Sequence, residues 1–325
     1  MAPANKAADI FTVPGLVAVI TGGGSGLGLY AARALDANGA KAVYIVGRRE
    51  QPLLAAARTG ANGSIRPLVG DVTDKASLAR VAAVVRREQG FVNLVFANAG
   101  VGGPNHAEAF AAYAGSSEGG GSGDGGQDSV RQLQETLFAA PMEAFTAPLH
   151  VNTGAVFYTA VAFLDLLHAG NAAGNVPQDA QVLVTTAVGG FARGLTSGFA
   201  YTLSKAAAAH LVKMLATAFG AHGLRVRVNG VAPGLFPSEM SGAFTAGLPL
   251  FGRGKGEGEG EGGDGTGAYE GAREVGREIC PAARTGSEED FAGVILFLAS
   301  RAGGYVNGEV LLTDGGRLSQ VPATY

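Results

Sequence analysis

Short β-branched apolar runs alternate along the chain with longer stretches in which Ala, Leu and Val recur at helical spacing. The runs lie near 16–21, 42–47, 65–69, 92–97, 181–186, 224–230 and 309–313, and the helical stretches near 27–38, 51–57, 75–88, 141–169, 200–220 and 288–299. A run apolar at every position, such as Leu16-Val17-Ala18-Val19-Ile20, needs cover on both faces. Strands of that kind separated by helices predict a parallel sheet, and right-handed crossovers place helices on both sides of it. The expected fold class is therefore α/β, a single doubly wound domain over residues 1–325 with seven parallel strands.

Two segments depart from this pattern. The stretch from Gly115 to Gly126, almost entirely Gly, Ser, Glu and Asp, cannot bury enough apolar surface to offset the entropy of ordering, so a mobile surface loop is expected near 113–130. A second low-complexity loop is expected near 252–272, centred on Lys255-Gly-Glu-Gly-Glu-Gly-Glu261, as a solvated excursion.

Two motifs carry chemistry. The first apolar run leads into Thr21-Gly22-Gly23-Gly24-Ser25-Gly26-Leu27-Gly28 and then an Ala-rich helical stretch. In that order Gly22 permits a tight turn, Gly26 lets backbone approach a pyrophosphate and Gly28 allows close helix packing, while the helix N-terminus favours the phosphate charge. Far downstream, Tyr201 and Lys205 stand four residues apart on a helix and share one face. An ammonium beside a phenol favours the phenolate and lowers its pKa from ~10 toward the range of a proton donor to a carbonyl oxygen. An exposed Tyr beside a solvated Lys has the same spacing, and the glycine turn is the context that favours chemistry.

T-G-x-x-x-G-x-G at the first turn with Y-x-x-x-K downstream resembles the short-chain dehydrogenase/reductase family, and the resemblance runs over nearly the whole chain. It extends to Asp71-Val72, Asn98-Ala99-Gly100, Asn152, Pro233-Gly234, Asn307-Gly308 and Asp314-Gly315-Gly316. The run from Ala232 to Met240, with Gly198-Phe-Ala-Tyr201 upstream, is similar to a narrower branch of rhamnolipid-type 3-oxoacyl reductases and their fungal relatives. The resemblance implies a Rossmann fold and reduction of a ketone, possible substrates being a 3-oxoacyl thioester or a secondary-metabolite carbonyl. Tyr201 would donate the proton, Lys205 would lower its pKa and bind the nicotinamide ribose, and Asn152 would hold a relay water.

The same resemblance implies a holder for the dinucleotide. Thr21, Gly22, Gly24, Ser25, Gly26, Leu27 and Gly28 form its turn, and Asp71 with Val72 meets the adenine, although Asp71 also suits a helix N-cap. Asn98-Ala99-Gly100 lies beside the adenine ribose, with Ala97 where the family commonly has a further Asn. Pro233, Gly234 and Ser238 approach the nicotinamide, Ser238 being equally suited to a simple turn. At the end of the second strand the position for a ribose-binding acid is Gly47, followed by Arg48 and Arg49. Guanidinium groups without the acid favour a 2′-phosphate, so NADP(H) is the expected cofactor.

One catalytic position departs from the family. The serine that supports the developing oxyanion in the narrower branch falls 14 residues before the tyrosine, which here is Ala187. Thr186 can stand in only if the strand end bends or slips, since consecutive strand residues face opposite ways. A slow reductase is the first reading, and an NADP-binding pseudoenzyme acting as a redox sensor or assembly partner is the alternative.

Composition narrows the remaining classes. With 325 residues and 47% hydrophobic content the chain can build a large core, and a net charge of -3 gives no basic footprint for nucleic acid or an anionic membrane. Cys280 is the only cysteine, which excludes an intrachain disulfide and a thiolate-rich zinc site, and no metal is expected. The most apolar stretch, Ala155 to Leu167, is too short to span a bilayer and contains Asp165, and the N-terminal residues lack a secretory pattern. A cytoplasmic enzyme is expected. The family resemblance adds a homodimer or homotetramer formed through the helices of Asn152 and Tyr201, the latter carrying an apolar stripe of Leu211, Met214, Leu215 and Ala218.

Overall fold

The computed structural model describes residues 5–117, 125–194, 197–251 and 269–324. Seven strands, β1 (Val17–Thr21), β2 (Ala42–Gly47), β3 (Ile65–Val69), β4 (Leu94–Ala97), β5 (Gln181–Thr185), β6 (Arg227–Pro233) and β7 (Val310–Thr313), form one sheet in the order β3-β2-β1-β4-β5-β6-β7. Every pairing is parallel. The helices are α1 (Ala7–Ile10), α2 (Gly26–Ala37), α3 (Glu50–Ala57), α4 (Lys75–Gln89), α5 (Ala107–Ser117), α6 (Gly125–Phe138), α7 (Met142–Leu149), α8 (Ala155–Ala162), α9 (Leu164–Ala173), α10 (Phe199–Ala221), α11 (Gly242–Thr245) and α12 (Glu288–Ala299).

Alternation along β1 explains the two-sided cover. Val17 and Val19 enter a core with Tyr44, Phe163, Leu166, Val212 and Phe219. Ala18 and Ile20 enter the opposite core with Leu35, Ile45, Phe291 and Ile295. Each Val or Ile buried this way contributes roughly 1.5–3 kcal/mol of hydrophobic stabilisation. The strand order reverses at β1, which lies between β2 and β4, and a crevice opens there at the carboxyl ends of the strands. That is where the glycine motif falls.

Three expectations need correction. The single helix expected over 141–169 is α7, a π-helical turn at His150–Gly154, α8 and α9, with a 47° bend between Ala162 and Leu164. Pro148 lies inside α7 and has no N–H to continue the regular ladder, and the wider turn follows directly. The sixth strand begins at Arg227 rather than 224, because the Leu224 amide still donates to Phe219 O at 2.9 Å and closes the end of α10. The loop expected near 113–130 is instead largely α5 and α6, which pack on each other. Ala107 to Ala114 and Gln127 to Phe138 are rich in helix formers, and the glycines between them obscured this. Residues 118–124 lie outside the described residues, as do 252–268 of the second expected loop. Among the described residues no single helix is long and apolar enough to cross a membrane.

Candidate active site

Thr21 ends β1 and Gly26 opens α2, so the glycine motif forms the floor of the crevice. Gly22 has φ +66°, and a Cβ there would lie 3.0 Å from Ala99 Cα. A Cβ on Gly28 would lie 2.3 Å from the Gly22 carbonyl oxygen, so only glycine lets α2 sit this close to the turn. Ser25 caps α2 without a side-chain hydrogen bond to its first turn, which suits an anionic ligand for those amides. These residues fit a dinucleotide pyrophosphate.

The walls of the crevice are tied together by polar groups. Thr21 Oγ1 accepts from the amides of Asn98 (3.0 Å) and Ala99 (3.1 Å), and Asn98 Nδ2 donates to Thr21 O and Gly22 O. Asn98 Oδ1 accepts from Thr185 Oγ1 at 2.9 Å, which links β1, β4 and β5 at one level. Val72 lines a recess with Thr21, Ala97 and Ala99. Asp71 is not the cap of α4: that cap is Asp74, which accepts from the Ala76 amide at 2.8 Å. The Asp71 carboxylate instead accepts from the hydroxyl and amide of Thr73, and these bonds, opposed by burial and aided by Arg48, hold its pKa below the usual carboxylate value. Of the two arginines, Arg49 pairs with Glu239 on the loop after β6. Ser238 lies in that loop, its Cβ 3.3 Å from where a Cβ on Gly26 would stand.

The acid/base pair meets the crevice at Gly100, where an added Cβ would lie 3.1 Å from Asn152 Oδ1 and 3.5 Å from Lys205 Nζ. Lys205 is only 3% exposed, donates to Thr185 O at 2.8 Å and lies 5.8 Å from the Tyr201 ring centroid. Burial pushes Tyr201 up to about 12 and Lys205 down to about 8. The expected lowering of the tyrosine by the lysine is absent from this geometry. Desolvation disfavours both charged forms, and the ammonium's hydrogen bond goes to a backbone carbonyl.

The Asn152 side chain is fully engaged within the protein. Its Oδ1 accepts from the Val101 amide, and its Nδ2 donates to Val101 O and Ser204 Oγ, each at 2.9 Å. Ser204 Oγ in turn donates to Tyr201 O at 2.7 Å. The side chain is thus a staple between the π turn, the segment after β4 and α10, and not a free holder of water. Thr186 is committed as well: its Oγ1 donates to Val231 O at 3.0 Å and its amide to the same oxygen at 2.8 Å. The strand end does not bend this hydroxyl toward Tyr201. Ala187 follows in extended conformation, and Gly189 lies beside the phenol ring, where an added Cβ would be 3.8 Å from Tyr201 Cε1. Thr185, Ser204 and Glu239 are the residues that sequence reasoning missed as parts of the site. The first two sit inside the Thr-Thr pair and the Y-x-x-S-K motif, where they were visible but had no assigned partner.

The fold and the order of these motifs are those of an oxidoreductase family. The chain belongs to the short chain dehydrogenase family, whose pattern matches residues 16–115 and 129–248. It is similar to the short-chain dehydrogenase/reductase PhomF of Diaporthe leptostromiformis, with 38% identity over 326 residues covering 99% of this chain and 98% of the relative. It is also similar to the rhamnolipids biosynthesis 3-oxoacyl-[acyl-carrier-protein] reductase of Pseudomonas aeruginosa, at 26% identity over 94% of this chain and 97% of the relative. Among solved structures, the Pseudomonas aeruginosa RhlG/NADP active-site complex shares the fold, with a TM-score of 0.70, 24% identity and coverage of 95% and 98% of the two chains.

The depressed lysine sets a testable pH dependence. Between about pH 8 and 10.5 the unfolded chain binds the Lys205 proton more readily than the folded one, so this group's stability cost is full below pH 8 and fades as pH rises. Lys205→Met should therefore raise stability at pH 7 by up to roughly 3 kcal/mol, less the bond to Thr185, with the gain shrinking toward pH 10.5. Thermal melts of both proteins across pH 7–10 check the sign.

Proposed function

We propose that the protein is an NADP(H)-dependent reductase that converts a ketone to a secondary alcohol, and that it does so slowly. The observation that carries this reading is the buried Lys205, held by Thr185 O beside the Tyr201 ring and facing Gly100 at the edge of the glycine cradle. NADPH, when bound, supplies the hydride. Gly22, Gly26 and Gly28 leave room for its pyrophosphate, and Arg48 and Arg49 supply cations for the 2′-phosphate, with no acid at Gly47 to oppose it. With a pKa raised to about 12, Tyr201 holds its proton at neutral pH, as a donor to the forming alkoxide must. Lys205, at about 8, is still largely cationic at pH 7 and favours the phenolate left after transfer. Any water held by Asn152 is held by its backbone in the π turn, since its side chain is engaged.

For the substrate, support comes from the rim. Phe199 opens α10 two residues before Tyr201, and its ring packs 5.5 Å from His106 and 6.2 Å from Phe110. Phe199 and Phe110 remain partly exposed, so the rim suits the apolar body of a 3-oxoacyl thioester or a secondary-metabolite ketone. The similarity to a 3-oxoacyl-[acyl-carrier-protein] reductase supports the first of these.

A second reading, an NADP-binding sensor with little catalysis, is favoured by one observation: Ala187 has no hydroxyl and Thr186 gives its own to Val231. Ala187→Ser discriminates. It should raise turnover by up to ~10²–10³, the contribution of one oxyanion donor, while Thr186→Val leaves turnover nearly unchanged. Tyr201→Phe should abolish ketone reduction with NADPH binding intact. Steady NADPH binding with no ketone-dependent oxidation in single-turnover assays of wild type and Ala187→Ser alike would select the sensor.

Cofactor choice has its own test. Arg48→Asp removes a phosphate partner and installs a carboxylate near the ribose, so preference should move toward NAD. Tighter binding of NAD than of NADP by the wild type would sink the assignment.

The proposal includes a homodimer or homotetramer formed through α8 and α10. Phe157, Tyr158 and Val161 of α8 and Leu203 and Met214 of α10 are all at least 40% exposed, whereas Leu215 of the expected stripe packs into the core. Light scattering at micromolar concentration should give a multiple of the 32.6 kDa chain mass, and a monomer would count against it.

A further inference from the structure

We infer that Glu239, on the loop after β6, is a determinant of cofactor choice: its carboxylate occupies the Arg49 guanidinium and competes with the 2′-phosphate of the dinucleotide. This rests on the NADP reading above and adds a residue that acts against it. Arg49 Nη2 donates to Glu239 Oε2 at 2.8 Å and to Oε1 at 3.1 Å, joining residues 190 apart in sequence. The pair spans from the end of β2, where the 2′-phosphate would be read, to the loop that carries Ser238.

The loop is a fixed frame. The Tyr30 hydroxyl donates to Pro237 O at 3.4 Å, the Ser241 amide donates to Ser238 Oγ at 3.2 Å, and Ser241 Oγ donates to Phe236 O. Ser238 lies against Gly26, so one short segment crosses the crevice from the glycine cradle to Arg49. Gly47 leaves the end of β2 without the acid that binds a ribose hydroxyl, and Glu239 returns a carboxylate to that region from a different element. A carboxylate there accepts from a 2′-hydroxyl and repels a 2′-phosphate. Both partners are more than 60% exposed, so the ion pair is weak and a dianionic phosphate can displace it. Glu239 thus moderates phosphate preference without abolishing it, because Arg48 lies outside this pair and still supplies a cation.

The test compares the purified full-length wild type with Glu239→Gln, a substitution too exposed to threaten folding. Dissociation constants are measured by calorimetry for 2′,5′-ADP and 5′-AMP, which differ only in the 2′-phosphate, and for NADPH and NADH. Glu239→Gln should bind 2′,5′-ADP and NADPH ~3- to 5-fold more tightly, the scale of an exposed ion pair, with 5′-AMP and NADH unchanged or weaker. Arg49→Gln in the Glu239→Gln background should cancel the gain. Weaker 2′,5′-ADP binding in Glu239→Gln would mean that Glu239 merely orients Arg49, and overturns the inference. A wild-type phosphate preference that Glu239→Gln leaves unaltered overturns the role of Glu239 alone. Equal binding of 5′-AMP and 2′,5′-ADP by both proteins removes the cofactor assignment and the inference with it.

Discussion

The site depends on the end of β5, where Thr185 serves two partners at once. Its hydroxyl donates to Asn98 at 2.9 Å and its carbonyl accepts from Lys205 at 2.8 Å. The first bond fixes the turn after β4 against β1, and therefore the glycine cradle. The second fixes a buried ammonium beside Tyr201. Parallel pairing makes this possible, since β1, β4 and β5 all end at one edge of the sheet. Thr185 therefore couples the glycine turn to the Tyr201–Lys205 pair through one residue.

The same economy explains the weak corner. A strand end presents consecutive side chains to opposite faces, and here both threonine hydroxyls serve the scaffold, Thr185 toward Asn98 and Thr186 toward Val231. Neither remains for a substrate oxyanion. What remains is proton chemistry, and burial sets its direction. A phenol at about 12 and an ammonium at about 8 each resist charge alone.

The glycine turn, the Tyr201–Lys205 pair and six of the seven strands were legible because each is a local pattern: a φ requirement, a helical spacing, an apolar run. What escaped was long-range. The apolar run at Leu224 reads as strand, but its amide belongs to α10. The partners of the Asn152 side chain, Val101 and Ser204, are brought against it by the π turn, which Pro148 hints at and sequence periodicity cannot place. Asp71 reads as a possible helix cap, and only the donors that each carboxylate meets show that the cap is Asp74. Arg49 reads as a free phosphate ligand, and its partner lies on a loop that no local pattern connects to it.

The described residues on either side of 252–268 are held together. The Phe251 amide donates to Ala272 O at 3.0 Å, and the Arg284 guanidinium lies 3.8 Å over the Tyr269 ring. Arg284 continues into a paired contact with Asp290, which with Ser287 closes the capping box of α12. Tyr269 and Ala283 both take left-handed backbone, φ 61° and 57°, at a cost of roughly 1–2 kcal/mol each that the cation–π contact and the partly buried ion pair offset. Ser238 and Glu239 precede this neck in the chain.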